Sequence, residues 1–253
     1  MLVTHPQPAD LEKYYQSNSY ISHTDSFKSF SDQLYHIVKK YMLWKKIRVL
    51  EKYLGKTGRV LDIGAGTGDF LRMAHHRGWD IDGVEPNPMA RGLASEKQVH
   101  LKPKLQDVTG KAFEAITLWH SLEHIPNLDS EIEAMLNCLE KDGIIVVAVP
   151  NYKSKDANHY KEYWAAYDVP RHLWHFSQES IERIFEKHNM QLIKKSPLLF
   201  DAYYIALLSE KYKNGRPNYL RAFWMGARSN VSAWRSKEYS SILYVLKRKD
   251  NAI

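Results

Sequence analysis

Two hydropathy rhythms share this chain. Short apolar runs bounded by turn formers recur at Val60, Leu61 and Ile63, at Ile81 and Val84, over Ala115–Trp119, Ile144–Val149, Met190–Lys195 and Ser241–Leu246. Each reads as a strand, and the unbroken run Ile144–Val149 marks a central parallel strand covered on both faces. Between them, apolar residues return at helical spacing. From about Ser31 to Leu54 the pattern holds Leu34, Ile37, Val38, Tyr41, Met42, Ile47, Leu50 and Leu54, and it stops at Gly55. Further helices are expected over Phe70–His76 ending at Arg77-Gly78, after Pro88, over Leu128–Glu140 closed by Lys141-Asp142-Gly143, and from the capping Ser177 to Lys187. A short third strand is expected near Lys104–Gln106, ending at Asp107. The roughly 25 residues after Asn151 are polar and aromatic and read as a long, irregular connection of the kind that is usually functional.

Residues 201–239 interrupt the step to the last strand. On a helical projection of residues 219–235, Leu220, Phe223, Trp224, Ala227, Val231 and Trp234 form one stripe, with Arg221, Arg228 and Arg235 beside it. An apolar stripe ordinarily meets its own core, so this one is expected to pack as a lid. The alternative is a basic amphipathic helix lying at a membrane interface.

The richest chemistry lies after the first strand, in Arg59-Val60-Leu61-Asp62-Ile63-Gly64-Ala65-Gly66-Thr67-Gly68-Asp69-Phe70. Glycines suit a backbone that turns tightly against a ligand, and the following helix start offers exposed amides. The dinucleotide fingerprint sets its third glycine five residues after the first. Here Gly68 comes four after Gly64, and Asp69 holds the fifth position. A second strand, Asp80–Val84, ends in Glu85-Pro86, placing an acid where ribose hydroxyls are accepted, about 20 residues past the loop.

Val60-Leu61-Asp62-Ile63-Gly64-Ala65-Gly66-Thr67-Gly68 and Gly83-Val84-Glu85-Pro86-Asn87 together resemble the first two motifs of class I S-adenosylmethionine-dependent methyltransferases. His120-Ser121-Leu122-Glu123-His124-Ile125-Pro126 and Asp168–Ser177 resemble segments of the ubiquinone-biosynthesis-type small-molecule group. The resemblance implies an α/β, Rossmann-like, seven-stranded and mostly parallel sheet, its last strand antiparallel, with helices on both faces. It implies S-adenosyl-L-methionine as cofactor, held by Asp62, Gly64, Ala65, Gly66, Gly68, Glu85, Pro86 and Trp119, with Asp107 and Val108 meeting the adenine; a turn residue is the equal alternative for Asp107, one acid in a polar stretch. It lays an N-terminal segment over the cofactor cleft, making Tyr14, Tyr20, His23 and also Arg171 candidate substrate ligands; packing of a cap is the competing reading of the first three. The chain divides accordingly into a helical cap (1–58), the methyltransferase core (59–200), a basic aromatic helical insertion (201–239) and the final strand (240–253).

Composition narrows the class. The chain has 253 residues, 44% hydrophobic and 26% charged, ordinary for a globular protein. A single cysteine, Cys138, excludes an internal disulfide framework and a cysteine-rich zinc site. With no run long enough to span a bilayer and no basic-then-apolar leader, a cytoplasmic location is expected. The net charge of +7 is uneven: residues 151–253 carry 18 Lys/Arg against 10 Asp/Glu, so an anionic surface, polymer or substrate suits the C-terminal half. A merely soluble cationic surface is the alternative.

Methyl transfer asks for in-line positioning, exclusion of water and, for a hydroxyl acceptor, a base near neutral pKa. The candidates are His120, His124 and His172, with a loop-ordering role the competing reading of His124. Glu123 and His124 alone supply too few ligands for a divalent metal, so none is expected. No Asn/Asp-Pro-Pro-Tyr/Phe run follows the fourth strand, and Cys138 falls within a helix, which sets aside base-methylating enzymes of DNA. The favoured function is methylation of a small-molecule acceptor, lipid-soluble or acidic, at a hydroxyl oxygen. An RNA-modifying methyltransferase is second. A non-catalytic cofactor-binding or membrane-docking protein, touching the bilayer through 219–235, is third.

Overall fold

The computed structural model describes residues 1–4, 30–108 and 110–249. In chain order these hold β1 (Leu2–Val3), α1 (Phe30–Leu54), β2 (Arg59–Ile63), α2 (Asp69–His76), β3 (Asp80–Val84), α3 (Pro88–Glu96), β4 (Phe113–Trp119), α4 (Leu128–Cys138) and β5 (Leu139–Pro150). Then come α5 (Lys155–Tyr160), β6 (Trp174–His175), α6 (Gln178–Lys187), β7 (Met190–Pro197), α7 (Asp201–Asn214), α8 (Tyr219–Ser236) and β8 (Ser241–Arg248). The main sheet is Rossmann-like and mixed, with strand order β3-β2-β4-β5-β8-β7. β2 pairs in parallel with β3 and β4, and β8 runs antiparallel to β7.

The chain forms two compact units, one of Asp10–Trp119 and Asp129–Ile145, the other of Met1–Ala9, His120–Leu128 and Val146–Ile253. In the first, β2 is buried from its second residue on, Asp62 included, which leaves its carboxyl end to the glycine turn. The Asn87 side chain accepts from the Met89 and Ala90 amides and starts α3, with Pro88 in the first helical position where its missing N–H costs nothing. In the second unit, Ile242–Leu246 of β8 are buried. Ser177 caps α6 reciprocally with Ser180. β1 and β6 form a separate antiparallel pair that the apolar pattern of the chain does not reveal.

Three expectations change. The seventh strand is not found among the described residues: Leu105–Asp107 is a single 3-10 turn, and only Lys102 bridges to Val84. Lys102, Pro103 and Lys104 are all exposed, and Pro103 removes one backbone donor, so the pairing stops after Lys102. The helix expected to reach Glu140 ends at Cys138, and β5 begins at once. Gly143 belongs to that strand, because a Cβ there would sit 2.8 Å from Leu139 Cδ1 and 3.0 Å from the Phe113 carbonyl oxygen. The connection after Asn151 is ordered as α5 and two 3-10 turns, Lys161–Tyr163 and Ala165–Tyr167.

A fourth concerns the 219–235 stripe. α8 buries the opposite side, Ala222, Met225, Gly226, Ser229 and Ala233. A Cβ on Gly226 would lie 3.0 Å from Tyr203 Cα, so α7 and α8 approach backbone to backbone. Ala222 and Met225 join Tyr160, Trp164, Ile205 and Ala206 in one core cluster. Small residues allow the closer packing, and the large aromatic residues are left outside. The stripe is therefore not a lid face.

Candidate functional site

The first unit carries the glycine turn. Gly64, Gly66 and Gly68 all have positive φ, at 74°, 55° and 74°, in the left-handed region that costs other residues about 1–2 kcal/mol. They serve different ends. A Cβ on Gly68 would press within 3.1–3.2 Å of Val99 and Ala94, so that position is closed by packing, whereas a Cβ on Gly66 would meet nothing within 4 Å. The space over Gly66 is open to a ligand. The Gly64 and Ala65 amides donate to the Val84 carbonyl at 2.8 and 2.9 Å, which fixes the turn against β3.

Glu85, at the tip of β3, is buried and accepts from the Gly66 amide (2.9 Å) and the Asn87 amide (2.8 Å). Its backbone is held as well, since Arg91 Nη1 donates to the carbonyls of Glu85 and Pro86 at 2.8 and 2.7 Å. Asp62, 2% exposed, accepts from the Thr117 hydroxyl at 2.6 Å. Burial pushes its carboxyl up to about 7, against the pull of that hydrogen bond and of the Lys46 ammonium. Lys46 Nζ stands 4.4 Å from the centre of the Trp119 ring, and Phe70 meets the same ring edge-on at 5.3 Å. The Trp119 indole N–H is buried with no hydrogen-bond partner.

An open space over Gly66, an orphaned donor at Trp119 and a buried carboxylate short of positive charge fit a cationic nucleoside. Asp107 takes another place: its carboxylate accepts from the Lys104 amide (3.1 Å) and closes its own turn, with Val108 buried beside it. Lys46 was not foreseen, because a lysine on a half-exposed helix gives no local sign of what it faces. Tyr14, Tyr20 and His23 lie outside the described residues.

The second unit brings together the three candidate histidines. His120 follows Trp119 directly in the chain and has φ 57°, an unusual backbone region for a residue with a Cβ. Its Nε2 lies 3.0 Å from Asp201 at the start of α7, and its Nδ1 3.6 Å from Glu123 Oε1. Burial pulls the His120 imidazole down, but Asp201 and Glu123 override it and lift the pKa to about 10. Glu123 is 1% exposed, and neither of its carboxylate oxygens has a hydrogen-bond partner. Burial pushes this carboxyl up, yet His120, His172 and His124 around it bring it down to about 2.

His172 is buried with its Nδ1 2.8 Å from the Ala166 carbonyl, so that nitrogen carries the proton and Nε2 keeps its lone pair. Nε2 stands 3.8 Å from Asp168 Oδ2 and 4.0 Å from Glu123 Oε1. Burial, only partly countered by Glu123, lowers the His172 pKa to about 4. His124 packs edge-on against the His172 ring at 4.6 Å, and its Nδ1 lies 3.1 Å from the Arg171 carbonyl. The Arg171 guanidinium pairs with Asp168. Glu123, His124 and His172 each present one ligand atom within 4.8 Å of the others, so the expected pair gains a third donor that could help hold a metal ion.

Backbone pairing sets this geometry. The Leu173 amide donates to the Glu123 carbonyl at 2.8 Å, and the Trp174 indole to the Ile125 carbonyl at 2.6 Å. Thr4 clamps the far side, its amide donating to the Leu173 carbonyl at 2.9 Å and its hydroxyl to that of His172 at 2.5 Å. Asp201, Asp168 and Thr4 were not singled out in the sequence. Asp168 stood in a quoted segment, while Asp201 and Thr4 reach the cluster only through folding.

The methyltransferase-domain family pattern matches residues 34–195. The chain is 28% identical over 108 residues to an uncharacterized methyltransferase of Alkaliphilus oremlandii, covering 40% of this chain and 50% of that protein. It is 27% identical over 149 residues to an uncharacterized protein of Methanocaldococcus jannaschii, covering 58% and 54%. The chain thus spans about half the length of the curated relatives it matches. Among solved structures it resembles geranyl diphosphate C-methyltransferase from Streptomyces coelicolor (TM-score 0.58, 13% identity, 90% of this chain and 89% of that one). It also resembles magnesium protoporphyrin IX methyltransferase from Synechocystis (TM-score 0.57, 12% identity, 90% and 91%). At such identity these are likenesses of fold. The chain belongs to the methyltransferase-domain family, within the class I S-adenosylmethionine-dependent methyltransferases, and S-adenosylmethionine is its cofactor.

Proposed function

We propose that this chain moves the methyl group of S-adenosylmethionine to a hydroxyl oxygen of a small, lipid-soluble acceptor, with His172 as general base. The observation that carries the reading is Glu123, a buried carboxylate without a hydrogen-bond partner among three imidazoles. His172 presents a lone pair at Nε2, because the Ala166 carbonyl fixes the proton on Nδ1 and burial keeps the ring neutral until an acceptor proton arrives. The imidazolium so formed lies between Asp168 and Glu123, whose charges stabilise it as the proton arrives. His120, held protonated by Asp201 and Glu123, is unsuited to the base and suited to orienting an electron-rich acceptor group.

The cofactor, when bound, supplies an electrophilic methyl on a sulfonium. Asp62, Glu85 and the open backbone face over Gly66 are what would hold it, and Trp119 joins them directly to His120 in sequence. The acceptor hydroxyl would pass its proton to His172 Nε2 as its oxygen bonds the methyl carbon. The S–C bond would break, releasing neutral S-adenosylhomocysteine, and the sulfonium's positive charge would end as the proton on the imidazole. Removing water and aligning the two partners does the rest.

A transfer assay with methyl-labelled S-adenosylmethionine against a panel of phenolic and long-chain hydroxyl acceptors tests this. His172→Ala should lower turnover by about 10²–10⁴-fold with cofactor affinity unchanged. Full turnover in His172→Ala overturns the base assignment. So does loss of activity on chelation with recovery on adding a divalent cation, which would make Glu123, His124 and His172 a metal site.

A further inference from the structure

We infer that the outer face of α8 docks this protein on an anionic phospholipid bilayer. Leu220, Phe223, Trp224, Val231 and Trp234 lie on one side of that helix, each more than half exposed, and Trp224 is 70% exposed. Their inner counterparts, Ala222, Met225, Gly226, Ser229 and Ala233, fill the packing against α5 and α7; on the outer side the Phe223 ring leans on Tyr203 at 5.6 Å, and all five large side chains remain mostly in solvent. Leaving five large apolar side chains in water on one helix face is unfavourable, and contiguous exposed apolar patches of that kind mark interaction surfaces.

Charge selects the occupant. From Lys211 to Lys237 the chain holds seven cations and no acid. Arg221, Arg228 and Arg235 are exposed and repeat every seventh residue along one edge of the apolar stripe. A helix with Trp, Phe and Leu on one face and arginines at its margin fits the boundary between headgroups and acyl chains, with the guanidinium groups reaching lipid phosphates. Two copies pairing through this face would set the same arginines against each other, without an acid in the segment to relieve them. Single-stranded nucleic acid needs aromatic platforms for its bases, and the aliphatic Leu220 and Val231 offer none. The bilayer takes both the apolar stripe and the cationic margin.

α7 gives the docked face a link to the chemistry. It packs on α8 through Tyr203 against Gly226, and its first residue is Asp201, the partner of His120. The acceptor would then come from the membrane, in accord with the lipid-soluble class proposed above, although docking itself needs neither cofactor nor turnover.

Flotation of the full chain with phosphatidylcholine vesicles, alone or with roughly a third phosphatidylglycerol, tests the inference. Binding should appear with the anionic vesicles and weaken as salt rises. Trp224→Glu should reduce it at least about tenfold, with melting temperature and S-adenosylmethionine affinity unchanged because Trp224 contributes nothing to the core. Replacing Arg221, Arg228 and Arg235 together by Gln should remove the preference for anionic lipid. Three results overturn the inference: no binding by folded protein, equal binding by Trp224→Glu, or a Trp224-dependent dimer or RNA complex without vesicle binding. Cofactor affinity is read in the same samples, so failure to dock is distinguishable from failure of the methyltransferase reading.

Discussion

Two buried glutamates follow the strands that flank β2 in the sheet, β3 and β4, and the chain treats them in opposite ways. Glu85, after β3, has each carboxylate oxygen on a backbone amide, those of Gly66 and Asn87. Glu123, after β4, is still more buried and has no hydrogen bond to either oxygen. An unpaired buried charge costs several kcal/mol unless other charges answer it. At Glu123 the answer is electrostatic, from His120 and the neighbouring His172 and His124. The first carboxylate is fixed in place, which suits the binding role expected of it. The second retains capacity to respond when a proton reaches its neighbours, which suits the catalytic role proposed above.

The comparison breaks most sharply at the second glutamate. Besides the His172→Ala assay, Glu123→Gln should lower turnover by about two orders of magnitude, because the amide cannot stabilise an imidazolium at His172. The cofactor Kd measured by calorimetry should stay unchanged. An active Glu123→Gln enzyme would reduce Glu123 to a structural residue.

Asp62 offers the next largest effect and a sign that can fail. Its folded pKa is about 7 against an ordinary 3.8, so between those values the folded state binds more protons than the unfolded state. Stability contributed by this group is therefore present at low pH and lost as pH rises through about 7. The full shift corresponds to at most about 4 kcal/mol. Asp62→Asn keeps an acceptor for Thr117 and should be more stable than the parent at pH 8 but not at pH 4, by denaturant unfolding. It should also bind S-adenosylmethionine more weakly. Parallel stability curves for the two proteins across this range would show that burial does not strain Asp62.

The same contrast explains what could be read from the sequence. Glu85 acts on Gly66 and Asn87, within 19 residues of itself, so loop spacing and one strand length suffice to place it. Glu123 depends on His172, 49 positions away, and through His120 on Asp201, 81 positions from it. The histidines could be named as candidates, but their order as bases could not, since burial and carboxylate neighbours set it. Strands of continuous apolar residues were legible for the same local reason, down to the unbroken Ile144–Val149 run. The Lys104–Gln106 strand failed because its neighbourhood has turn chemistry without a buried face. The 219–235 helix was legible as a helix, and its inner face was not. Periodicity weighs large side chains most, and here Ala222, Gly226, Ser229 and Ala233 do the packing.

A smaller effect sharpens the first glutamate. Glu85→Gln keeps one carbonyl oxygen for the Gly66 or Asn87 amide and loses the charge, whereas Glu85→Ala leaves both amides without their partner. Hydrogen bonds to a charged group contribute about 1.5–3 kcal/mol, so cofactor affinity should fall roughly tenfold in the first variant and up to a hundredfold in the second. Turnover at saturating cofactor should change far less than in Glu123→Gln if Glu85 holds the cofactor and Glu123 answers a proton. Calorimetric Kd values paired with kcat at saturation separate the two. If Glu85→Ala instead lowers kcat with Kd intact, the division of labour between the two carboxylates is wrong. The fixed one would then belong to the chemistry as well.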